Sequence, residues 1–261
     1  MNPATPATPQ PGPARDAFTE EQFASSYPDG IQRHYWQVAR SRVIARRLRR
    51  YLPPNGGEVV LDVGCGRGIE VENLRRMGWN ALGCDLGRPA PISAAVAPYL
   101  TAEADAFQLP DQLRHSVKCV LMLDLLEHLA APGEFLALCR ERFPACELVF
   151  ITVPARMEVW SNYDKLYGHA RRYSLATARA LFPPAAFQVV DCGYFFHLLY
   201  GAALALACLR IQREVVVKPP ARPALHACLG ACFSFEERIV PACVPGSSLY
   251  LVARILRAGT V

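Results

Sequence analysis

Short apolar runs separated by helix-length segments set the rhythm of this chain. Four of them, EVVLDV at 58–63, NALGCD at 80–85, VKCVLML at 117–123 and ELVFITV at 147–153, are rich in Val, Leu and Cys and nearly free of polar alternation. That is the pattern of strands buried on both faces. Between them lie segments of helical period such as VENLRRMG and PGEFLALCRERF. Strand alternating with helix predicts a parallel sheet with helices on both faces. FQVVDCG at 187–193 is a further strand candidate, and SSLYLVARIL at 247–256 reads as a final edge strand.

Outside this rhythm the composition shifts. Residues 1–16, MNPATPATPQPGPARD, hold almost no large apolar side chain, so a disordered tail is expected. Residues 17–55 turn helical, with Tyr27, Tyr35 and Trp36 ahead of the basic stretch VARSRVIARRLRRYL; they read as an N-terminal cap on a core at 56–193. Residues 194–246 read as a hydrophobic helical insertion before the last strand. Tyr194 to Leu209 carries no acidic or basic residue apart from His197, yet is shorter than the roughly 20 residues a bilayer span needs. A second apolar stretch, LHACLGACF at 225–233, follows Arg210, Arg213, Lys218 and Arg222. Such helices suit a membrane surface with anionic headgroups, a cover for a site, or a homodimer face, and the sequence leaves the three open.

Charge and cysteine usage narrow the field. Lys and Arg total 28 against 23 Asp and Glu, a net charge of +5, too mild and too spread for a nucleic-acid footprint. No secretory signal precedes the ten cysteines, and most sit among apolar neighbours. Reduced thiols and a cytoplasmic chain are expected, at the inner face of the membrane if the apolar helices rest there. His226, Cys228 and Cys232 have ligand-like spacing but no fourth partner; they read as one side of a packed helix, and no metal is expected.

The strongest local signal is Leu61-Asp62-Val63-Gly64-Cys65-Gly66-Arg67-Gly68 ahead of a helix. Glycines there let the backbone turn sharply and approach a ligand closely. The spacing is GxGxG, and Asp62 stands just upstream, where a carboxylate would repel a pyrophosphate but attract an ammonium group. About 20 residues further on, Asp85 in GCDLG ends a strand candidate, the place from which an acid holds ribose hydroxyls.

The series LDVGCGRG, GCDL, ADAFQLP and LMLDLLEHL resembles the ordered motifs of class I S-adenosylmethionine-dependent methyltransferases, especially the type 11 group. The resemblance implies a Rossmann-like, mostly parallel seven-stranded α/β sheet with S-adenosyl-L-methionine as cofactor. It implies that Gly64, Cys65, Gly66 and Gly68 pass under the cofactor, that Asp62 lies near its amino-acid end, and that Asp85 with Leu86 holds the ribose. Asp105 would face the adenine amino group, Ala106 and Phe107 would border that ring, and Leu123 would end the fourth strand beside it. Arg67 stands where many relatives carry Thr or Ser.

Methyl transfer from a sulfonium needs an aligned acceptor, and a base when that acceptor is a hydroxyl. His128, just after the fourth strand, has a suitable ordinary pKa. The segment from Trp160 to Tyr173 resembles the W-x-x-x-D-x-x-x-G-H-x-R-R-Y pattern of a subset of bacterial methyltransferases. On that resemblance Asp164 and His169 line the acceptor pocket and Arg171 or Arg172 pairs with an acidic neighbour or an anionic substrate; the alternative is an internal salt-bridge network that holds the loop closed. With His128 these give His128, His169 and Asp164 as catalytic candidates, and Trp160, Tyr167, Arg171, Arg172 and Tyr173 as substrate-binding ones, joined by Tyr27 and Trp36 from the segment before the basic stretch. The tail from Glu237, ExxxxPxxxPGSSLxxxAR, resembles that of bacterial enzymes with hydrophobic substrates. The expected activity is methyl transfer to a small or lipid-like acceptor at oxygen or carbon. A non-catalytic adenosyl-binding module is the alternative, and a nicotinamide-dependent oxidoreductase fits less well because its GxGxxG turn is missing.

Overall fold

The computed structural model describes residues 27–212 and 218–257; the tail expected at 1–16 and the first part of the cap, 17–26, lie outside them. The strands are Val59–Val63 (β1), Asn80–Cys84 (β2), Leu100–Thr101 (β3), Val117–Leu123 (β4), Leu148–Pro154 (β5), Phe187–Phe195 (β6) and Ser248–Ile255 (β7). The helices are Tyr35–Leu48 (α1), Ile69–Arg76 (α2), Asp111–Arg114 (α3), Pro132–Arg142 (α4), Asn162–Leu166 (α5), Leu175–Arg179 (α6), His197–Cys208 (α7) and Pro223–Ile239 (α8).

One seven-stranded sheet runs β3-β2-β1-β4-β5-β7-β6. Strands β1 to β5 pair in parallel, and β7 alone runs against its neighbours β5 and β6. The expected edge position of 247–256 is therefore corrected: β7 is interior, and β6 forms the edge. Its burial explains why, since every residue of β7 except Arg254 is sealed, as a strand paired on both sides and covered on both faces must be. β3, two residues long, has too little apolar pattern to be read from sequence.

Along the strands, successive side chains serve opposite faces. Leu61, Val120, Met122, Val149 and Ile151 pack with Phe135, Leu136 and Cys139 of α4 and with Phe182. Val60, Leu121, Leu123 and Phe150 pack with Ala39, Val43, Ile44 and Leu48 of α1 and with Val71 and Leu74 of α2. So α1, expected as a cap ahead of the core, is one of the core's own layers. The apolar stretch at 194–209 also divides differently from its hydrophobicity: Tyr194 and Phe195 finish β6, Phe196 turns with φ 62°, and only then does α7 begin.

Helix α8 lies against α1 from outside, with Phe233 on the Tyr35 ring (5.3 Å) and an ion-pair cluster toward its C-terminal end. Glu237, 4% exposed, takes the guanidinium groups of both Arg46 and Arg47, with Arg47 Nε donating at 2.7 Å. Glu236 accepts from the backbone N–H groups of His197 (2.6 Å) and Leu198 (3.3 Å), capping α7. Among the described residues no helix is long and apolar enough to cross a membrane.

Because Glu237 is the shared counter-ion of two arginines, Glu237→Ala should cost about 3 kcal/mol. The check is the urea midpoint, which should fall at unchanged slope, while Glu237→Gln should lose less.

Candidate active site

All parallel strands and β6 end at one edge of the sheet, and the loops that follow them build the site. The backbone turns hardest here: Asp124 after β4 (φ 57°), Arg156 after β5 (φ 70°) and Phe196 after β6 are left-handed without being glycine, a conformation that persists only where the surroundings impose it.

The glycine loop follows β1. Gly64 and Cys65 donate their N–H groups to the carbonyl of Cys84 (2.9 and 3.2 Å), folding the loop back on β2. Gly64, Gly66 and Gly68 all have positive φ (75°, 52° and 78°), and a Cβ on Gly68 would stand 2.6 Å from Leu100, so the conformation and the space both call for glycine. Asp85 faces this loop from the end of β2, accepting from Gly66 N–H and Gly87 N–H, each at 2.8 Å. A cleft of about 720 Å³ opens between them, lined by Pro28, Gly66, Arg67, Asp85 and Leu100 among others, within the size range of nucleoside-sized ligands. Arg67 closes its outer wall: its side chain binds the carbonyls of Tyr27 (2.5 Å) and Ala90 (2.9 Å) and the carboxylate of Asp29 (2.6 Å).

Beneath the loop, Asp62 is 3% exposed and its Oδ1 has no hydrogen-bond partner. Burial, then the neighbouring Glu70 carboxylate, pushes its pKa well up. A cationic ligand group beside it would relieve both effects. Cys65 is half-buried, Leu123 is buried, and Leu86 is exposed at the rim. Asp105 caps the turn Ala106–Gln108 by accepting from Phe107 N–H at 3.0 Å. Ala106 is buried, and the Phe107 ring packs into the core against Phe135 and Phe143, so the ring face expected to border an adenine is committed elsewhere.

The second half of the site joins the turn Leu126–His128, after β4, to the loop after β5. Ala170 N–H donates to Glu127 O (2.9 Å), the Tyr173 hydroxyl to Leu126 O (3.2 Å), and Arg171 to the carbonyls of Leu129 (3.2 Å) and Ala130 (3.3 Å). Two histidines far apart in the chain meet as a result: the rings of His128 and His169 lie 4.9 Å apart, edge to face. Behind them Asp164 is fully buried and saturated. It accepts from Ser161 N–H (2.9 Å), binds His169 Nδ1 at 2.9 Å and takes Arg172 at Nε (2.7 Å) and Nη2 (3.0 Å). Burial alone would raise its pKa; the bonds from His169 and Arg172 outweigh that and hold it at about 2. His128 goes the other way, brought down to about 4 by burial and then by His169.

Three expectations are corrected by this geometry. Asp164 cannot line an acceptor pocket, because it is sealed from solvent; it orients His169 instead. Arg172, with its side chain 6% exposed and forked onto Asp164, takes the acidic neighbour of the two expected partners and is not placed as a substrate anchor. Arg171 finds backbone carbonyls, not an acid. The internal network anticipated as the alternative is thus what Asp164 and Arg172 form, and it serves to hold the two histidines together. Tyr173 is buried within the same docking contact. Tyr167 stacks on Tyr163 (4.3 Å) and reaches toward His169 (6.3 Å). Trp160 is half-buried at the start of the loop. Trp36 packs on Phe196 (5.9 Å) with Arg40 over its face (5.3 Å).

Arg40 itself was hidden from sequence reasoning inside a basic stretch. Its position four residues from Trp36 and Ile44, on the apolar side of α1, is the signal that could have found it. It bonds Asp124 at 2.8 Å and Thr152 Oγ1 at 3.3 Å, and its field reaches Glu70, Asp62 and Tyr27. Tyr27, from the segment pinned by Arg67, puts its ring among Arg40, Asp124, Glu127 and Tyr167, and burial pushes its hydroxyl up to about 12.

A parallel sheet with a GxGxG turn after β1, an acid at the end of β2 and its remaining site residues on the loops of the same edge defines a class I S-adenosylmethionine-dependent methyltransferase. The sequence profile of the methyltransferase domain family matches residues 35–191, and the chain belongs to that family. It is 33% identical over 105 residues to a ubiquinone biosynthesis O-methyltransferase of Hahella chejuensis, covering 37% of this chain and 44% of that one. With its counterpart from Pseudomonas fluorescens SBW25 it is 34% identical over 109 residues, 37% and 45% of the two chains. The match spans less than half the length of these curated relatives. Among solved structures, a chain of the complex between the Haloferax volcanii Trm112 methyltransferase activator and a methyltransferase aligns with a TM-score of 0.55 at 17% identity, over 95% of this chain and 99% of that one. The plantazolicin methyltransferase BpumL in complex with a pentazolic desmethylPZN analog and SAH aligns with a TM-score of 0.53 at 13% identity, over 91% of each. At these identities the shared property is the fold.

The depressed values give stability two separate acid windows. His128, neutral when folded, makes stability fall as pH drops from about 6.5 toward about 4; Asp164 holds its contribution above about 4 and loses it as pH falls through about 2. Asp164→Asn should flatten only the lower window, a difference of roughly 2 kcal/mol, measured as urea midpoints across the acid range.

Proposed function

We propose that this chain is an S-adenosylmethionine-dependent O-methyltransferase for a lipid-like acceptor drawn from an anionic membrane surface. When bound, S-adenosylmethionine supplies an activated methyl group. On this reading Asp85 holds the ribose hydroxyls, with Gly64, Gly66 and Gly68 under the ligand, and Asp62 faces its ammonium end. The Asp105 segment borders the base, with the backbone of Ala106 and Phe107 rather than the Phe107 ring available for contact.

The observation that carries the oxygen acceptor is the His128–His169 pair. A hydroxyl must lose its proton as it is methylated, and burial keeps His128 neutral through the physiological range. Asp164 holds His169 through Nδ1, which leaves Nε2 directed to the other side of the ring. Tyr27, Tyr167 and Trp160 provide aromatic walls for a ring-bearing or amphiphilic acceptor. The named activity of the Hahella and Pseudomonas relatives agrees in reaction type.

The lipid-like character rests on α7 and α8. Helix α7 carries no charge and begins at the site edge, where Tyr200 bonds Glu158 at 2.9 Å beside the acceptor loop. Leu198 (69%) and Leu209 (69%) are exposed on and just after it, and Leu225, Leu229, Phe235 and Ile239 form an exposed stripe along α8. Arg210 and Arg222, both exposed, flank these helices, the combination that favours an interface with anionic headgroups.

Calorimetric titration with S-adenosylmethionine, S-adenosylhomocysteine and NAD in parallel tests the cofactor side. Both adenosyl ligands should bind and NAD should not; Asp85→Ala should weaken binding by roughly 1.5–3 kcal/mol, and binding of NAD alone would overturn the reading.

Flotation with vesicles tests the acceptor side. The protein should float with anionic but not zwitterionic vesicles, and Leu229→Glu with Phe235→Glu should abolish flotation without lowering thermal stability. Failure to float, together with a dimer in light scattering that the same variant disperses, would put a second copy of the chain on this face instead.

A further inference from the structure

Every carboxylate around the two histidines except one has a cation or donor. Asp124 has Arg40 and Thr152 Oγ1 (3.1 Å), and Asp164 has Arg172, His169 and Ser161. Glu127 is fully buried, and among the described residues neither Oε1 nor Oε2 has a hydrogen-bond partner. Burial, and then the Asp124 carboxylate, push its pKa well up, so without a cation it is a protonated carboxyl that a bound cation would convert to a ligating carboxylate. Arg40 and Arg172 are near enough to be felt, but the bonds they make go to Asp124 and Thr152 and to Asp164 and the Ala155 carbonyl.

The nearest ligating atoms of Glu127, His128 and His169 all lie within 4.8 Å of one another. One imidazole, His169, is already held as metal-binding histidines are, and the other has a backbone partner. His169 is fixed through Nδ1 by the Asp164 carboxylate at 2.9 Å, and His128 is hydrogen-bonded to the Gly168 backbone. A carboxylate or backbone carbonyl on the far ring nitrogen fixes the tautomer and presents the near nitrogen to the ion. Two imidazoles and one carboxylate are a zinc-type set that leaves a fourth position open; hard ions such as Mg²⁺ prefer all-oxygen sites. Bonds of about 2.0–2.2 Å require donors roughly 3.3 Å apart, so closing the set asks each side chain to move by on the order of 1 Å.

We propose that Glu127, His128 and His169 bind one divalent first-row transition-metal ion, with Asp164 as the positioning residue behind His169. The site differs from the His226, Cys228 and Cys232 spacing on α8, where His226 Nδ1 accepts from Tyr35 N–H (3.2 Å) and both cysteines are exposed. Its use rests on the O-methyl reading: an acceptor hydroxyl in the open position would become more acidic and lose its proton to solvent water. Its oxygen would form the new O–CH3 bond as the S–CH3 bond of S-adenosylmethionine breaks, and S-adenosylhomocysteine would leave. In that arrangement the ion, not a free imidazole, activates the acceptor.

The test is equilibrium dialysis of the full chelator-treated chain against Zn²⁺, with the visible absorption of bound Co²⁺ as a second readout. One ion per chain is expected. Glu127→Gln and His128→Ala should each lower affinity at least a hundredfold and Asp164→Asn about tenfold, the range for a supporting residue. Cys228→Ser with Cys232→Ser should change nothing. Glu127→Gln should retain S-adenosylhomocysteine binding and lose no thermal stability, because it replaces a protonated carboxyl with another neutral group. Zinc retained by Glu127→Gln and lost by the cysteine variant would overturn the site, as would no binding by the unaltered chain. Metal bound with no methyl transfer to any hydroxyl would leave the site standing and sink the O-methyl reading.

Discussion

One buried guanidinium organises the site. Arg40 points from α1 into a region that also holds Asp62, Glu70, Asp124 and Glu127, and four carboxylates exceed what one cation can neutralise. It gives its closest bond to Asp124, and that choice has structural consequences. Asp124 is the left-handed residue that ends β4, so the ion pair fixes where the chain leaves the sheet and hence where Leu126–His128 lies. Burial alone would drive Arg40 toward losing its proton; Asp124 and Glu70 outweigh it and keep the charge in place. Among the described residues the cluster leaves buried polar atoms without a hydrogen-bond partner: one oxygen each on Asp62 and Glu70, both oxygens of Glu127, and Nε of Arg40 itself. Asp62 lies beneath the glycine loop and Glu127 beside the histidine pair, and burial pushes the pKa of each well up, so both are places where a bound cation would change the protonation state.

The loops around that cluster are pinned to each other rather than to the strands they leave. Ala155 bridges to Tyr173, and Arg156 N–H donates to Tyr173 O at 2.9 Å, which returns the long loop to its own starting point. Ser161 and Asp164 form a reciprocal cap on α5, so the same carboxylate that caps a short helix also orients His169 and receives Arg172. Such sharing explains how a five-residue helix, too short to be stable by itself, can hold a histidine in position.

Legibility from sequence follows the range of the interaction. The glycine loop and Asp85 were readable because their constraints are local: a positive-φ turn, a strand end, a spacing of about 20 residues. The strand cores were readable because burial on both faces leaves a continuous apolar run. The loop from Trp160 to Tyr173 was readable as a concentration of chemistry, but not its division of labour, since nothing local distinguishes a sealed Asp164 from an open one. The His128–His169 pairing depends on Ala170 meeting Glu127 across two strands. The interior place of β7 depends on strand order, which no periodicity encodes. Arg40 was visible only as an arginine on the wrong side of a helix.

Arg67 shows how a local departure acquires meaning from tertiary structure. In the sequence it is a bulky residue in a loop that otherwise favours small ones. In the fold it reaches away from the glycines to bind the Tyr27 carbonyl and Asp29, and so pins the segment that crosses the cofactor cleft. Tyr27 then turns its ring inward to Arg40, Asp124 and Glu127. One segment therefore bounds both halves of the site: its backbone is held at the glycine loop and its side chain closes over the charged cluster. Burial beside that ring keeps water from Glu127, whose pKa is pushed well up, while Asp124 keeps its bond to Arg40. The segment that covers the cleft is thus also what makes the charge deficit around Arg40 count.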